Sequence, residues 1–451
     1  MLCLYVFKTL VDFDKSFIFW KNKKDRKRLK MSFKIKNAFV YDDKSFVKKD
    51  LYVFDGKISF FEKEKPKEEY DCEGMYVFPG FCDVHVHLRE PGFSYKETIK
   101  TGTMASAKGG YTTVFSMPNL SPVPDCYENL KEQLDIIKKD AVIEVIPYGS
   151  ITVGEKGEKL SEMEEMADFV CAYTDDGKGV QNEELMYEAM EKASALDKII
   201  AAHCEDESLL NKGYIHAGEY AKKNNHRGIV SESEYLPIEK NLETAKKANC
   251  KYHVCHVSAK ESIELIREGK KKGIDVTCET GPHYLVLCDE DLQEDGRFKM
   301  NPPLRSKGDK EALIEGIKDG TVDMIATDHA PHSEEEKSKG LENSLMGITG
   351  IETAFSVLYT ELVKKGIITL ERLIELMWKN PRERFSLKAS FKEGDSADFC
   401  VWDLEKKVKI DEKFFISKGK ASPFWGKEFY GKCKMTIYKG EFVWQENLTE
   451  K

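Results

Sequence analysis

Asp83-Val84-His85-Val86-His87-Leu88-Arg89-Glu90-Pro91-Gly92 follows an apolar run, Met75-Tyr76-Val77-Phe78-Pro79-Gly80-Phe81, that reads as the start of a strand. Side chains two apart on a strand point the same way, so His85 and His87 project together as a chelating pair would. Two ordinary histidines on one strand face fit the same ten residues. The rest of the chain decides between them.

Outward from Phe81, apolar β-rich runs alternate with amphipathic helical stretches. The strand candidates are Cys82–Leu88, Thr112–Met117, Val142–Tyr148, Phe169–Thr174, Ile199–His203, Tyr252–Val257, Asp275–Cys278 and Met324–Thr327. Helices are expected at Tyr95–Lys108, Asn129–Lys139, Glu183–Ala195, Leu242–Ala248, Lys260–Lys272 and Lys310–Lys318, with two more at Ile351–Lys365 and Leu370–Met377. This alternation predicts an α/β fold, a (β/α)8 barrel of the TIM type spanning residues 79–386.

The flanks read differently. Short alternating segments fill residues 32–77: Phe33–Tyr41, Lys49–Phe54, Lys57–Glu62 and Met75–Phe78. After Pro381 the β texture returns at Ala397–Asp403, Lys434–Tyr438 and Glu441–Trp444. The simplest arrangement pairs residues 31–78 with 387–451 as one small β-sandwich satellite domain, the barrel being inserted between its halves.

The chain has 451 residues, 41% hydrophobic and 33% charged, the balance of a soluble globular protein. A net charge of -9 argues against general nucleic-acid affinity, which needs a basic footprint. The 12 cysteines are scattered, with no Cys-x-x-Cys pair, and read as reduced thiols of a cytoplasmic protein. No apolar run is long enough for a membrane span. In residues 1–30 the apolar Phe17-Ile18-Phe19-Trp20 precedes a basic run from Lys21 to Lys30, the reverse of a signal peptide. These residues read as a disordered extension or as preceding a natural start at Met31, with a membrane-surface anchor as the lesser reading.

Active sites of such barrels stand at the C-terminal ends of the strands. Strand one ends with His85 and His87, strand four with Thr174-Asp175-Asp176-Gly177, strand five with Ala202-His203-Cys204-Glu205, strand six with His256-Val257-Ser258, and strand eight with Thr327-Asp328-His329-Ala330-Pro331-His332. Only 10 histidines occur in the chain, so their concentration at strand ends points to a metal centre. Imidazole and carboxylate donors without a thiolate motif suit zinc, and also manganese or cobalt. Six ligands exceed the need of one open zinc and fit two metals bridged by a carboxylate. Periodicity alone does not choose between Asp175 and Asp176 for the bridge.

At these motifs the chain resembles the dihydroorotases of the amidohydrolase superfamily, most closely the bacterial type I enzymes. Asp83–Pro91 and Ala326-Thr327-Asp328-His329-Ala330-Pro331-His332-Ser333-Glu334-Glu335-Glu336-Lys337 look like the two signature motifs. Ser116-Met117-Pro118-Asn119, Cys255-His256-Val257-Ser258 and Lys299-Met300-Asn301-Pro302-Pro303-Leu304-Arg305 match intermediate landmarks. The resemblance covers about residues 32–445 in order.

What the resemblance implies is specific. His85, His87 and Asp328 hold one zinc ion, His203 and His256 a second, and Asp176 bridges them. The reaction is the reversible cyclisation of N-carbamoyl-L-aspartate to L-dihydroorotate in pyrimidine synthesis, with Asp328 as general acid and base. Arg89, Asn119, Asn301 and His332 become substrate contacts, His87 lies beside the substrate as well, and the backbone at Met346-Gly347 reads the ring. A homodimer is expected, with aspartate transcarbamoylase as a candidate partner. The alternatives are another cyclic amidohydrolase, an allantoinase or hydantoinase, and a non-catalytic dihydroorotase-like scaffold subunit. Those hydrolases bridge their metals with a carboxylated lysine at the end of strand four, and here the nearest lysine, Lys178, lies past Gly177. Scaffold relatives lack metal ligands, whereas all six positions are filled here.

Other conspicuous residues read as structural. Cys204 and Cys255 flank ligands but are expected to pack. His283, in Gly281-Pro282-His283-Tyr284, is read as structural, His253 as facing the opposite side of its strand, and His329 as pointing away. Asp83 takes no role beyond the motif. Residues 289–310 and 333–344 are polar loops, either of them a lid candidate.

Overall fold

The computed structural model describes residues 32–446, and the expected extension at residues 1–30 lies outside them. The strands Phe81–Val86, Tyr111–Ser116 and Glu144–Pro147 pair in parallel in that order. Gly149 bridges Tyr173 and Tyr173 bridges Ile200, both in parallel sense. Ile199–Ala202 pairs with Lys251–Val254, that strand with Val276–Thr280, and that one with Met324–Ile325, again all parallel. His329 then bridges back to Val86, and the His87 N–H donates to the His329 carbonyl at 2.8 Å. Parallel pairing thus runs from strand to strand in chain order and returns to where it began.

Parallel neighbours need long crossovers. Helices supply them: Ile99–Lys108, Tyr127–Asp140, Glu183–Ala195, Glu232–Ala248, Lys260–Lys271 and Lys307–Asp319. Local chemistry sets their ends. The first begins at Ile99, not Tyr95 as expected, because the Thr98 hydroxyl accepts from the Thr101 N–H at 3.1 Å. Glu90, from the opening stretch, accepts from the Ile99 N–H at 2.9 Å. The helix expected at Leu242–Ala248 is longer, Glu232–Ala248, and carries Pro237 inside its first two turns. The strand expected at Phe169–Thr174 is reduced to the bridges of Tyr173. The two late helices each pass into a π turn, at Tyr359–Val363 and Glu375–Lys379.

Both ends of the described chain share one sheet. Its order is Glu441–Gln445, Glu428–Tyr438, Phe399–Lys409, Tyr76–Pro79, Phe39–Asp42, Ser45–Lys48. A second sheet orders Lys57–Ser59, Leu51–Phe54, Ser32–Lys36 and Glu68–Asp71. One apolar cluster joins the two, with Phe33, Ile35, Val40, Leu51 and Val53 from the N-terminal side and Phe399, Val401, Met435 and Ile437 from the C-terminal side. The edge strands Ser45–Lys48 and Glu68–Asp71 are mostly exposed and were not expected.

Among the described residues no helix is long and apolar enough to cross a membrane. The described cysteines are all free thiols, most of them buried.

Candidate metal centre

The strand Phe81–Val86 is buried along its whole length, including two ionisable side chains, Asp83 and His85. Buried charges persist only when partnered, and Asp83 shows how. Its Oδ1 accepts from the His85 N–H at 3.1 Å and the Thr327 N–H at 3.2 Å, and its Oδ2 accepts from the Thr327 hydroxyl at 2.6 Å. Burial still pushes its carboxyl up to about 7. Asp83 therefore ties the strand bearing His85 to the segment bearing Asp328, one residue after Thr327.

Four histidines and two aspartates converge beyond it. His85 Nε2 lies 3.3 Å from Asp176 Oδ1 and 3.6 Å from Asp328 Oδ1. His87 Nε2 lies 3.5 Å from Asp176 Oδ2 and 3.1 Å from Asp328 Oδ1. On the other side His203 Nδ1 and His256 Nε2 are 2.9 Å apart, and they stand 3.9 Å and 3.5 Å from Asp176 Oδ1. Donor atoms of His85, His87 and Asp176 all lie within 4.8 Å of one another, and so do those of Asp176, His203 and His256. Asp176 belongs to both groups. All six residues are buried.

Asp175 and Asp176 face different surroundings. Asp175 accepts from the N–H groups of Ile151 at 2.8 Å and Thr152 at 3.0 Å and from the Thr152 hydroxyl, so it ties a loop. Asp176 turns to the histidines. The donor set fits cations: His85 Nε2 and Asp176 Oδ1 are buried and make no hydrogen bond despite facing each other. Nitrogen and oxygen donors of this kind, with no thiolate, suit zinc or a similar divalent ion.

The charges respond to one another. Burial works against the charged form of His85, but Asp176 and Glu279 outweigh it and raise the imidazole well above its usual range. Burial likewise opposes ionisation of Asp176, and His85 overrides it, holding the carboxyl well below the usual value. Asp328 is also held low against burial, chiefly by its hydrogen bond with His87. His87 itself is lowered by burial.

Two carboxylates were not singled out from sequence. Glu279 Oε1 lies 2.7 Å from His85 Nδ1, and its Oε2 lies 3.1 Å from His253 Nε2. His253, expected to face away, thus touches the residue that holds His85. A carboxylate behind a ligating imidazole fixes its tautomer and orientation. The only sequence signal was an acidic residue inside a buried strand, Val276–Thr280. Glu205 lies 3.6 Å from His203 Nε2 and accepts from the Asn301 amide at 3.2 Å.

Arg89 is half-buried, and its Nε donates to the Pro331 carbonyl at 3.2 Å, with Nη2 3.3 Å from His332 Nε2. Among the described residues it forms no ion pair. His332 is held from both sides, with Lys96 Nζ 3.3 Å from Nδ1 and the Met346 carbonyl 2.7 Å from Nε2. Burial, Arg89 and Lys96 push His332 down to about 3, which keeps the ring neutral. An Nε2–H tautomer donates to Met346 and accepts from Lys96 at Nδ1, which leaves the Arg89 Nη2 contact at Nε2 without a hydrogen bond.

Asn119 donates to the Asp176 carbonyl. The Oδ1 atoms of Asn119 and Asn301 are buried without a partner. Gly347 has φ +130°, and a Cβ there would meet the Ala330 carbonyl oxygen at 2.7 Å, so only glycine fits. Arg89, His256 and Asp328 also sit at positive φ, +60°, +32° and +45°, the strained backbone that clusters at functional sites.

His329 points away, its Nδ1 accepting from the Gly350 N–H at 3.3 Å. His283 is buried with its Nε2 unpartnered, and burial lowers it to about 4. Cys204 and Cys255 are buried, their thiols pushed up by burial and thus poor nucleophiles.

A family model described as dihydro-orotase-like matches residues 74–262. The chain is 48% identical over 423 residues to the dihydroorotases of Bacillus cereus (strain AH820) and Bacillus anthracis, covering 92% of this chain and 99% of theirs. Among solved structures it is similar to an L-hydantoinase (dihydropyrimidinase) from Arthrobacter aurescens, with TM-score 0.81, 25% identity, and 92% and 96% of the two chains covered. A dihydropyrimidinase from Brevibacillus agri NCHU1002 aligns with TM-score 0.81 at 22% identity over 92% and 95% of the two chains, a likeness of fold alone.

Proposed function

The chain belongs to the dihydroorotase family, and we propose that the cluster around Asp176 is the place where it works as one. A dihydroorotase interconverts N-carbamoyl-L-aspartate and L-dihydroorotate. The observation that carries the site is the meeting of two donor groups at Asp176, with His85 Nε2 and Asp176 Oδ1 buried and unpartnered. His85, His87 and Asp328 would hold one zinc ion, His203 and His256 the second, with Asp176 between them. Bound ions of this kind bring water to a pKa of about 7 and polarise an amide carbonyl.

The protein's own groups supply the rest. Asp328 is kept ionised, so it starts as a base. In ring opening it takes a proton from the attacking water and returns it to the leaving ring nitrogen. In ring closure it takes the proton of the carbamoyl nitrogen as that nitrogen attacks the side-chain carboxylate, and it passes the proton to the departing oxygen, which leaves as water. Arg89, half-buried and in no ion pair among the described residues, would bind the substrate's free carboxylate through its guanidinium fork. Asn119 and Asn301, each with a buried unpartnered carbonyl oxygen, would accept from substrate N–H groups. The neutral His332 would orient the Met346-Gly347 backbone that reads the ring.

The same reading gives the architecture. The cyclic order of parallel pairings supports a (β/α)8 barrel over residues 79–386, and the shared cluster of both chain ends supports a β-sandwich satellite from 31–78 and 387–451. Hydantoinase-type chemistry is the alternative, and an aspartate where both donor groups meet, with the nearest lysine in sequence past Gly177, favours dihydroorotase. The test is hydrolysis of dihydroorotate against hydantoin and allantoin, before and after chelation, with metal analysis on the same sample. Dihydroorotate turnover that vanishes on chelation and returns with zinc is expected. A metal-replete protein inactive on dihydroorotate would overturn the reading.

A further inference from the structure

Lys337 is only 6% exposed. Among the described residues it has no carboxylate within ion-pair distance. Its ammonium donates instead to three backbone carbonyls, Leu345 and Gly347 at 2.8 Å and Lys299 at 3.0 Å. In its charged form three N–H donors meet three acceptors, so the group is satisfied there, although burial and Lys299 push it down to about 7.

Those carbonyls lie on two segments far apart in sequence. Leu345 and Gly347 flank Met346, and Lys299 stands two residues before Asn301. The segments also touch directly, the Gly347 N–H donating to the Lys299 carbonyl at 3.0 Å. Lys337 sits on the short helix Glu334–Lys337, whose previous residue works on the other side. Glu336 accepts from the Ser333 N–H at 3.0 Å and lies 3.1 Å from Lys96 and 3.3 Å from His332 Nδ1.

Burying an ammonium among neutral carbonyls is a costly way to fill space, which an apolar side chain of similar volume would fill with less desolvation. The directionality of three hydrogen bonds is what the lysine adds. We propose that Lys337 is a positioning residue for substrate: it fixes the Met346-Gly347 backbone against the Asn301 segment, and so sets how tightly the ring is bound. This rests on the reading that those segments contact the substrate.

The experiment compares Lys337→Met and Lys337→Gln with the unsubstituted protein and with Arg89→Lys, each with full metal content. In Lys337→Met, KM for dihydroorotate should rise about tenfold or more while kcat stays within about threefold, the mark of lost ground-state binding. Lys337→Gln, which keeps an amide donor, should fall between. Hydrogen exchange should quicken at residues 299–301 and 345–348. If Lys337→Met does not fold, the KM of Lys337→Gln carries the test, and an unchanged value there overturns the inference. An unchanged KM in Lys337→Met overturns it, whether or not exchange quickens. If Arg89→Lys raises KM and the Lys337 variants do not, this inference alone fails. If none of the variants changes KM, the reading of the pocket fails with it.

Discussion

Glu279 Oε1 stands 2.7 Å from His85 Nδ1, and that contact decides which nitrogen of His85 is free. With Nδ1–H donating to the carboxylate, Nε2 is the nitrogen left to face Asp176 and Asp328. Glu279 also accepts from the His256 N–H at 3.3 Å, so one carboxylate braces both halves of the centre. Glu279→Gln should weaken metal binding by about 10–100-fold, the range for such supporting partners. Competition with a chromophoric chelator measures it, and wild-type retention of metal would refute the role.

Asp328→Ala removes the proposed acid and base. Turnover should fall by at least about 10²–10⁴-fold, the usual share of general acid–base catalysis. Because Asp328 also stands 3.1 Å from His87 Nε2, metal content must be measured on the same preparation. Near-normal turnover would sink the assignment.

Arg89→Lys keeps the charge and loses the fork. A hydrogen bond to a charged group contributes about 1.5–3 kcal/mol, so KM for dihydroorotate should rise on the order of tenfold or more. Steady-state kinetics in both reaction directions reads this, and an unchanged KM would place the substrate carboxylate elsewhere.

Glu234→Gln tests the support of the strand end after His256. Glu234 Oε1 accepts from the Ser258 and Ala259 N–H groups at 3.0 and 2.9 Å, and its Oε2 lies 3.2 Å from Arg305. Burial opposes its ionisation, but Arg305 and these hydrogen bonds hold it below the usual range. A carboxyl with a lowered folded-state pKa adds stability above its unfolded pKa of about 4.3, and that stability is lost as pH falls through the folded value. Breaking such a buried pair costs about 3–5 kcal/mol. Thermal melts should show a large deficit near pH 7 that narrows in acid. A deficit independent of pH would remove the charge from the explanation.

What was legible in the sequence follows from burial. The six proposed ligands could be picked out because most follow an apolar run, where polar residues are conspicuous. His85 and His87 reach Asp176 although the register shifts between Asp83 and Val86, so simple alternation was only part of the reason. Glu279 was hidden because its partners, His85 and His253, are 194 and 26 residues away. Asp176 could not be told from Asp175 until the loop holding Asp175 was seen. The strands Ser45–Lys48 and Glu68–Asp71 lie on sheet edges, where charged, exposed residues erase the alternating pattern. Pro237 and a charged run masked the start of the helix Glu232–Ala248.

The strand Tyr76–Pro79 pairs with Phe399–Lys409, and Phe78 and Cys400 meet across 322 residues of chain. At about 5–20 residues per second of synthesis, that interval is roughly 15–65 s on the ribosome. Throughout it the nascent chain carries one side of Tyr76–Pro79 uncovered, an open edge able to pair with another strand. That sheet therefore closes only after Phe399–Lys409 has been made, long after its partner Tyr76–Pro79.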